Sequence, residues 1–208
     1  MAHEMHAPLV IACAALTGEL RAVLALGDQS ESIDVQYLPA NLHNTPDKIV
    51  GALRPLVDAA VADGRAVFVA YADCGTGGML DAYLAGHPGV TQLAGAHCYE
   101  FFAGPDLFAA LQEEELGTFY LTDFLAKHFD ALVWSGLGLD RAPQLRDMYF
   151  GNYTRVVYLS QADDGIAYAS AARAAQRLGL RFEHRHVTRD ALSAAINDWS
   201  VTIRTTAA

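Results

Sequence analysis

The chain is short of positive charge, of cysteine and of long apolar runs, and each shortage removes a class of function. It carries 14 Lys and Arg against 24 Asp and Glu, a formal net charge of −10. The basic residues form no cluster. Nucleic acid and anionic membrane are therefore not expected partners, because both are held through basic patches. The acidic excess fits solubility better than steering. No apolar stretch reaches the roughly 18 residues that a membrane span needs. The opening "MAHEMHAPLVIACAAL" has no basic segment before its apolar run. It reads as a tail entering a strand, not as a secretion signal, and a cytoplasmic protein is expected. Charged residues make up 18% against 52% hydrophobic, which argues against disorder. No internal repeat or low-complexity linker divides the 208 residues, so one domain spanning 1–208 is expected.

The cysteines are three, Cys13, Cys74 and Cys98, odd in number and far apart. A reducing compartment and this spacing argue against a disulfide framework. No Cys-x-x-Cys occurs, which removes zinc fingers and ribbons. Burial, metal binding or reactivity remain.

What is present is an alternation of apolar strands and helical spacing. "PLVIACAAL" reads as a buried strand and "LTGELRAVLAL" as a helix after it. "SIDVQYLP" (32–39) is strand-like. In the next helix Thr45 is a candidate N-cap, Pro46 suits the first turn and Gly64 the end. "RAVFVAYA" (65–72) is again a buried strand. The rhythm returns at "TRVVYLSQ", an Ala-rich helix, "RFEHRHVT" and a closing helix. Alternation of this kind predicts an α/β protein, a three-layer Rossmann-like fold with a mostly parallel sheet. The aromatic-rich segment at about 90–150 reads as a helical insertion, a candidate lid. Alternating polarity at 181–188 suggests an edge strand, and with it a homo-oligomer contact.

Open parallel sheets bind ligands beyond the carboxyl ends of their strands, where the strand order reverses. Cys13 ends the first predicted strand and Cys74 follows the third. In a 2-1-3-4-5 order these two strands flank the reversal. Cys98 follows the short strand candidate "VTQLAG" and can reach the same edge. Three thiolates there suggest a metal or cluster site, with His43 of "LPANLHNTP" as a further ligand. The alternative is that each cysteine fills a small buried gap. [4Fe–4S] is placed slightly ahead of Zn²⁺, although the sequence does not choose between them.

"DCGTGG" resembles a phosphate-cradling loop, but it lacks the G-x-G-x-x-G spacing and follows the third strand instead of the first. Its residues Gly75, Thr76, Gly77 and Gly78 read better as a turn that brings backbone close to a small ligand. Glu100, Tyr120 and Asp123 are placed opposite as further substrate contacts. No catalytic group is assigned.

Taken together, "IACAALTGEL", "LPANLHNTPDKI", "YADCGTGGMLD", "GAHCYEFFAG" and "FYLTDFLAKHFD" resemble the uncharacterised prokaryotic family of domain of unknown function 1638, from about Leu9 to about Leu180. The family pattern has cysteines at the positions of Cys13, Cys74 and Cys98 and a Leu-His-Asn at 42–44. The resemblance supplies no established reaction. It implies a link to one-carbon or methylated-amine metabolism, through organisms with corrinoid-dependent methyltransferases. The chain lacks the D-x-H-x-x-G string of corrinoid carriers. The expectation is thus a metalloprotein acting on a small polar metabolite, as a lyase or methyltransferase. The alternatives are an accessory protein that supplies metal or cofactor to a corrinoid methyltransferase partner, and a small-ligand module with structural cysteines.

Overall fold

The computed structural model describes residues 6–26 and 33–206. Most of the N-terminal tail, and Ser32 at the start of the second expected strand, lie outside them. In chain order the elements are β1 (Leu9–Cys13), α1 (Thr17–Leu26), β2 (Asp34–Leu38), α2 (Ile49–Ala62), β3 (Val67–Ala70), α3 (Met79–Leu84) and β4 (Val90–Gln92). There follow α4 (Tyr99–Ala103), α5 (Pro105–Glu114), β5 (Thr118–Thr122), α6 (Asp123–Lys127), α7 (Leu145–Phe150), β6 (Arg155–Ser160), α8 (Gly165–Leu178), β7 (Arg181–His186) and α9 (Asp190–Thr206). The protein is α/β and Rossmann-like, with parallel sheets joined through helices. No helix among the described residues is long and apolar enough to cross a membrane.

The chain divides into two compact units. One contains the described residues up to Cys98 and those from Leu192 onward; the other is Tyr99–Ala191.

In the first unit the strand order is β2-β1-β3-β4, all parallel. β1 and β3 are buried along their whole length, as continuous apolar runs in a parallel sheet must be. The β1–β3 register pairs Ala12 with Ala70, and the β1–β2 register pairs Cys13 with Leu38. The strand order therefore reverses between β1 and β3, where the sequence placed it. Trp199 of α9 packs on Phe68 with ring centroids 5.4 Å apart. Thr45 does not cap α2 with its side chain. A single 3-10 turn, Pro46–Lys48, comes first, and its opening is closed by the Lys48 N–H on the Thr45 carbonyl at 2.9 Å. Gly64, at φ 69°, ends the helix as expected.

In the second unit β5, β6 and β7 form a parallel sheet in that order. β7 is an edge strand, as its alternating polarity indicated. Asp164 caps α8 by accepting from the N–H groups of Ile166 and Ala167 at 2.9 and 3.1 Å. Gly179 closes it in the left-handed region. The face of α8 that carries Ala167, Ala171, Ala174 and Ala175 is buried, and these small side chains let the helix lie close to the core around Tyr158 and Val156.

The segment at about 90–150 is not wholly helical. It contains β4 and β5, and β5 is a full partner of β6. Just before β5, Gly117 has no room for a side chain. A Cβ there would meet the Asn152 carbonyl oxygen at 2.8 Å and Thr154 Oγ1 at 3.0 Å. Gly117→Ala should therefore cost about 1–3 kcal/mol by overpacking, read as a lower urea midpoint with an unchanged slope.

Candidate metal centre

Each of the four strands of the first sheet delivers a side chain or a loop to its carboxyl edge. β1 ends at Cys13, whose sulfur accepts from the Ala15 N–H at 3.4 Å and starts the 3-10 turn leading into α1. β2 is followed by the turn Ala40–Asn44, which carries His43. After β3 the chain runs through Tyr71 and Ala72 to Cys74. After β4 it returns beside that loop, where Gly95 and Ala96 accept from the N–H groups of Asp73 and Cys74 at 3.2 and 3.0 Å, and reaches Cys98.

His43, Cys74 and Cys98 come together, with their ligating atoms all within 4.8 Å of one another. The sulfurs of Cys74 and Cys98, both free, are 2.8 Å apart. Cys13 falls outside this group and stands beside it, its sulfur 3.6 Å from His43 Nδ1. The same Nδ1 lies 3.2 Å from the Ala40 carbonyl. A carbonyl only accepts, so Nδ1 carries a proton and Nε2 is the nitrogen left for a metal.

The electrostatics follow from these contacts. Cys98 donates to Cys74, and this bond, helped by the His43 charge, brings Cys74 down to about 5 in spite of burial. The same bond and burial push Cys98 well up. Burial of the imidazole opposes its charge, but the hydrogen bonds and charges of Cys13 and Cys74 prevail and raise His43 to about 10. At neutral pH the metal-free site therefore holds an imidazolium, the Cys74 thiolate and the Cys98 thiol. Tyr71, fully buried, has its ring stacked on His43 with centroids 6.3 Å apart. Burial first, and then the cysteines, keep its phenol protonated. Its hydroxyl has no partner in good hydrogen-bonding geometry, with the Cys13 sulfur beside it as a weak acceptor.

The glycine loop is positioned to shape this site. Cys74 has φ 50°, a left-handed conformation rare for a residue with a side chain, and Gly75, Gly77 and Gly78 follow at 85°, 64° and 85°. Asp73 fills the loop, accepting from Thr76 Oγ1 at 2.5 Å and from the N–H groups of Gly77 and Gly78 at 3.1 and 2.8 Å. The hydrogen bond from Thr76, followed by those glycine N–H groups, holds its carboxyl below the usual range. Loop N–H groups that already serve a carboxylate do not cradle a phosphate, in keeping with the spacing.

Glu100, Tyr120 and Asp123 belong to the second unit. Tyr120 is core, packed on Tyr99 and Phe108, with its hydroxyl on Gln112 at 3.1 Å. Asp123 accepts from the Tyr158 hydroxyl and from the Gln161 N–H. Glu100 lies in the first turn of α4. The second unit has its own cavity of about 330 Å³ beyond β6, lined by residues including Tyr158, Ser160, Asp163, Tyr168 and His184. Tyr71 was not among the sequence candidates. Its signal was weak: a tyrosine at the end of an apolar strand three residues before a cysteine.

The fold and this edge define a Rossmann-like α/β protein with a cysteine–histidine cluster at its topological reversal. Residues 37–196 match the family described as "Protein of unknown function (DUF1638)", and the chain belongs to that family. His43, Tyr71, Cys74 and Cys98 lie inside the matched segment and Cys13 before it. Neither the curated proteins nor the solved structures give a match.

Proposed function

We propose that the protein is a metalloprotein that holds one thiophilic ion, Zn²⁺ in the first instance, through Cys74, Cys98 and Nε2 of His43, and acts there on a small polar metabolite. The observation that carries this reading is the convergence of three donors within 4.8 Å at the ligand-binding edge of a parallel sheet. A tetrahedral Zn²⁺ with bonds of about 2.3 Å spaces two thiolates by roughly 3.8 Å. The Cys74 and Cys98 sulfurs, at 2.8 Å, would open by about 1 Å to admit it. A [4Fe–4S] cluster puts each thiolate on a different iron and needs a wider set of sulfurs, so the compact group favours a single ion over the cluster. Two thiolates and one imidazole match a catalytic zinc set, which polarises a carbonyl or activates a water or thiol. Methyl transfer in one-carbon or methylated-amine metabolism, with a corrinoid methyltransferase as partner, is the setting that the family resemblance favours.

The test is metal content after aerobic and anaerobic purification, followed by loading of the metal-free chain with Zn²⁺ or Co²⁺. One ion per chain is expected. Cys74→Ser and Cys98→Ser should each weaken binding by at least a hundredfold while circular dichroism stays unchanged, since loss of a ligand exceeds the 10–100-fold cost of losing a ligand's supporting partner. Several irons with acid-labile sulfide would replace the single ion by a cluster. A folded chain that takes up no metal under either condition would refute the reading.

A further inference from the structure

We infer that the ion keeps one coordination position open for an oxygen atom of a small carboxylate- or hydroxyl-bearing ligand, and that the Tyr71 hydroxyl donates a hydrogen bond to that atom. This rests on the metal reading above and asks more of the same site.

Three protein ligands and a vacant fourth position distinguish catalytic from structural zinc. The fourth candidate on this edge is Cys13, and its sulfur is engaged elsewhere. It accepts from the Ala15 N–H at 3.4 Å and sits 3.6 Å from His43 Nδ1. It also falls outside the 4.8 Å group that His43, Cys74 and Cys98 form. Cys13 is thus placed as the partner that orients the His43 ring, as carboxylates and carbonyls orient metal-bound histidines elsewhere.

Tyr71 is the second observation. Its side chain is fully buried, and its hydroxyl has no partner in good hydrogen-bonding geometry, only the Cys13 sulfur beside it as a weak acceptor. Buried hydroxyls are almost always satisfied, and leaving one unmade costs stability. The ring lies nearly parallel to that of His43, at 18°, and its phenol is close enough to Cys13, Cys98 and Cys74 to feel their charge. A phenol held protonated can offer its hydrogen to an incoming acceptor.

The class of ligand follows from the charges. Zn²⁺ and two thiolates sum to neutrality, and none of the side chains that form the cluster is a lysine or arginine. The N–H groups of Gly77 and Gly78 are taken by Asp73. A phosphate or nucleotide would find too few donors there. A carboxylate, an alkoxide or a neutral hydroxyl needs only the metal and one hydrogen bond.

Co²⁺-loaded protein tests this, with acetate as the probe. Acetate should shift the visible bands of the wild-type protein saturably. In Tyr71→Phe the same amount of Co²⁺ should bind, and acetate should bind about tenfold more weakly. In Cys13→Ser the thiolate-to-cobalt charge-transfer intensity should stay at the two-thiolate level of the wild type. An unchanged acetate affinity in Tyr71→Phe, a wild-type spectrum indifferent to acetate, or a loss of one thiolate's intensity in Cys13→Ser would each overturn the inference. The acetate and Cys13→Ser arms hold even if Tyr71→Phe fails to fold. Failure of the wild-type protein to bind Co²⁺ at all would instead remove the metal reading beneath it.

Discussion

Replacing Arg155 by Met should destabilise the protein by about 3–5 kcal/mol. Arg155 opens β6 with its side chain shut from solvent. Its Nε donates to Thr118 Oγ1 at 2.8 Å and its Nη2 to the Leu111 carbonyl at 2.8 Å. Nη1 faces Glu114 at 3.0 Å and Glu183 at 3.2 Å, and Glu115 lies 3.6 Å from Nε. The guanidinium thus ties α5 and β5 to β6 and β7. A methionine of similar length fills the space but leaves the Leu111 carbonyl only the Glu115 N–H at 3.2 Å, and leaves Glu115 and Glu183 with Arg181 in place of their central, buried cation. Breaking one side of such a network costs more than the network contributes net, because the remaining charges stay desolvated. Glu114 remains 57% exposed and is screened, which places the effect towards the lower end. Arg155→Lys should recover only part of the loss, since an ammonium cannot reach all these acceptors at once. The sign with pH is fixed by Glu183. Burial works against its charge, but Arg155, then Arg181, outweigh that and hold its carboxyl below the usual value. Its contribution is present above the unfolded value near 4.5 and is lost as pH falls through the lower folded value. The difference between wild type and Arg155→Met, read from urea midpoints, should therefore shrink below about pH 4.

The fold was legible wherever strand and helix were separated by turn residues. α1, β2, α2 and β3 stand apart in the sequence because glycine, proline or polar residues intervene, and the 2-1-3 part of the strand order is that of the common doubly wound pattern. β5 was hidden for a specific reason. Thr122 is its last residue and also the N-cap of α6, accepting from the Leu125 N–H at 3.3 Å. No turn separates the two, so the strand merges into the helical pattern of the aromatic-rich segment. The site was legible to the level of strand ends. Cys74, Cys98 and His43 were placed at the carboxyl edge by counting strands, but which sulfurs meet depends on loop geometry that periodicity does not carry. The left-handed φ of Cys74 turns that side chain, and no sequence pattern predicts such a conformation for a cysteine. For the same reason Cys13 could not be told apart from the other two. Tyr71 was invisible because its role depends on where its hydroxyl lies among the cysteines, which is a fact about three-dimensional neighbours alone.

Uptake of Zn²⁺ should tighten about a hundredfold for each unit of pH between roughly pH 6 and 8. In the metal-free site His43 holds its proton up to about 10, Cys98 holds its proton well above the ordinary thiol value, and Cys74 has lost its own above about 5. A metal needs neutral imidazole and two thiolates, so binding displaces two protons throughout that range. Calorimetry in buffers of different ionisation enthalpy counts those protons directly, and competition with a chelator of known protonation gives the slope. Removing the imidazole in His43→Gln should weaken binding and reduce the count to one. The stability of the metal-free chain should behave differently. Cys74, lowered from 9.0, adds stability that is complete above pH 9 and is lost as pH falls through about 5. His43, raised from 6.5, adds stability that is complete below that value and is lost as pH rises through about 10. Between about 6.5 and 9 the two slopes are equal and opposite, so these groups make the unfolding free energy of the metal-free protein nearly flat with pH. A steep pH dependence of metal affinity beside a flat pH dependence of metal-free stability is the signature of this ion pair. A proton count of zero on metal binding would mean that His43 and Cys98 are not ligands, whatever the metal content.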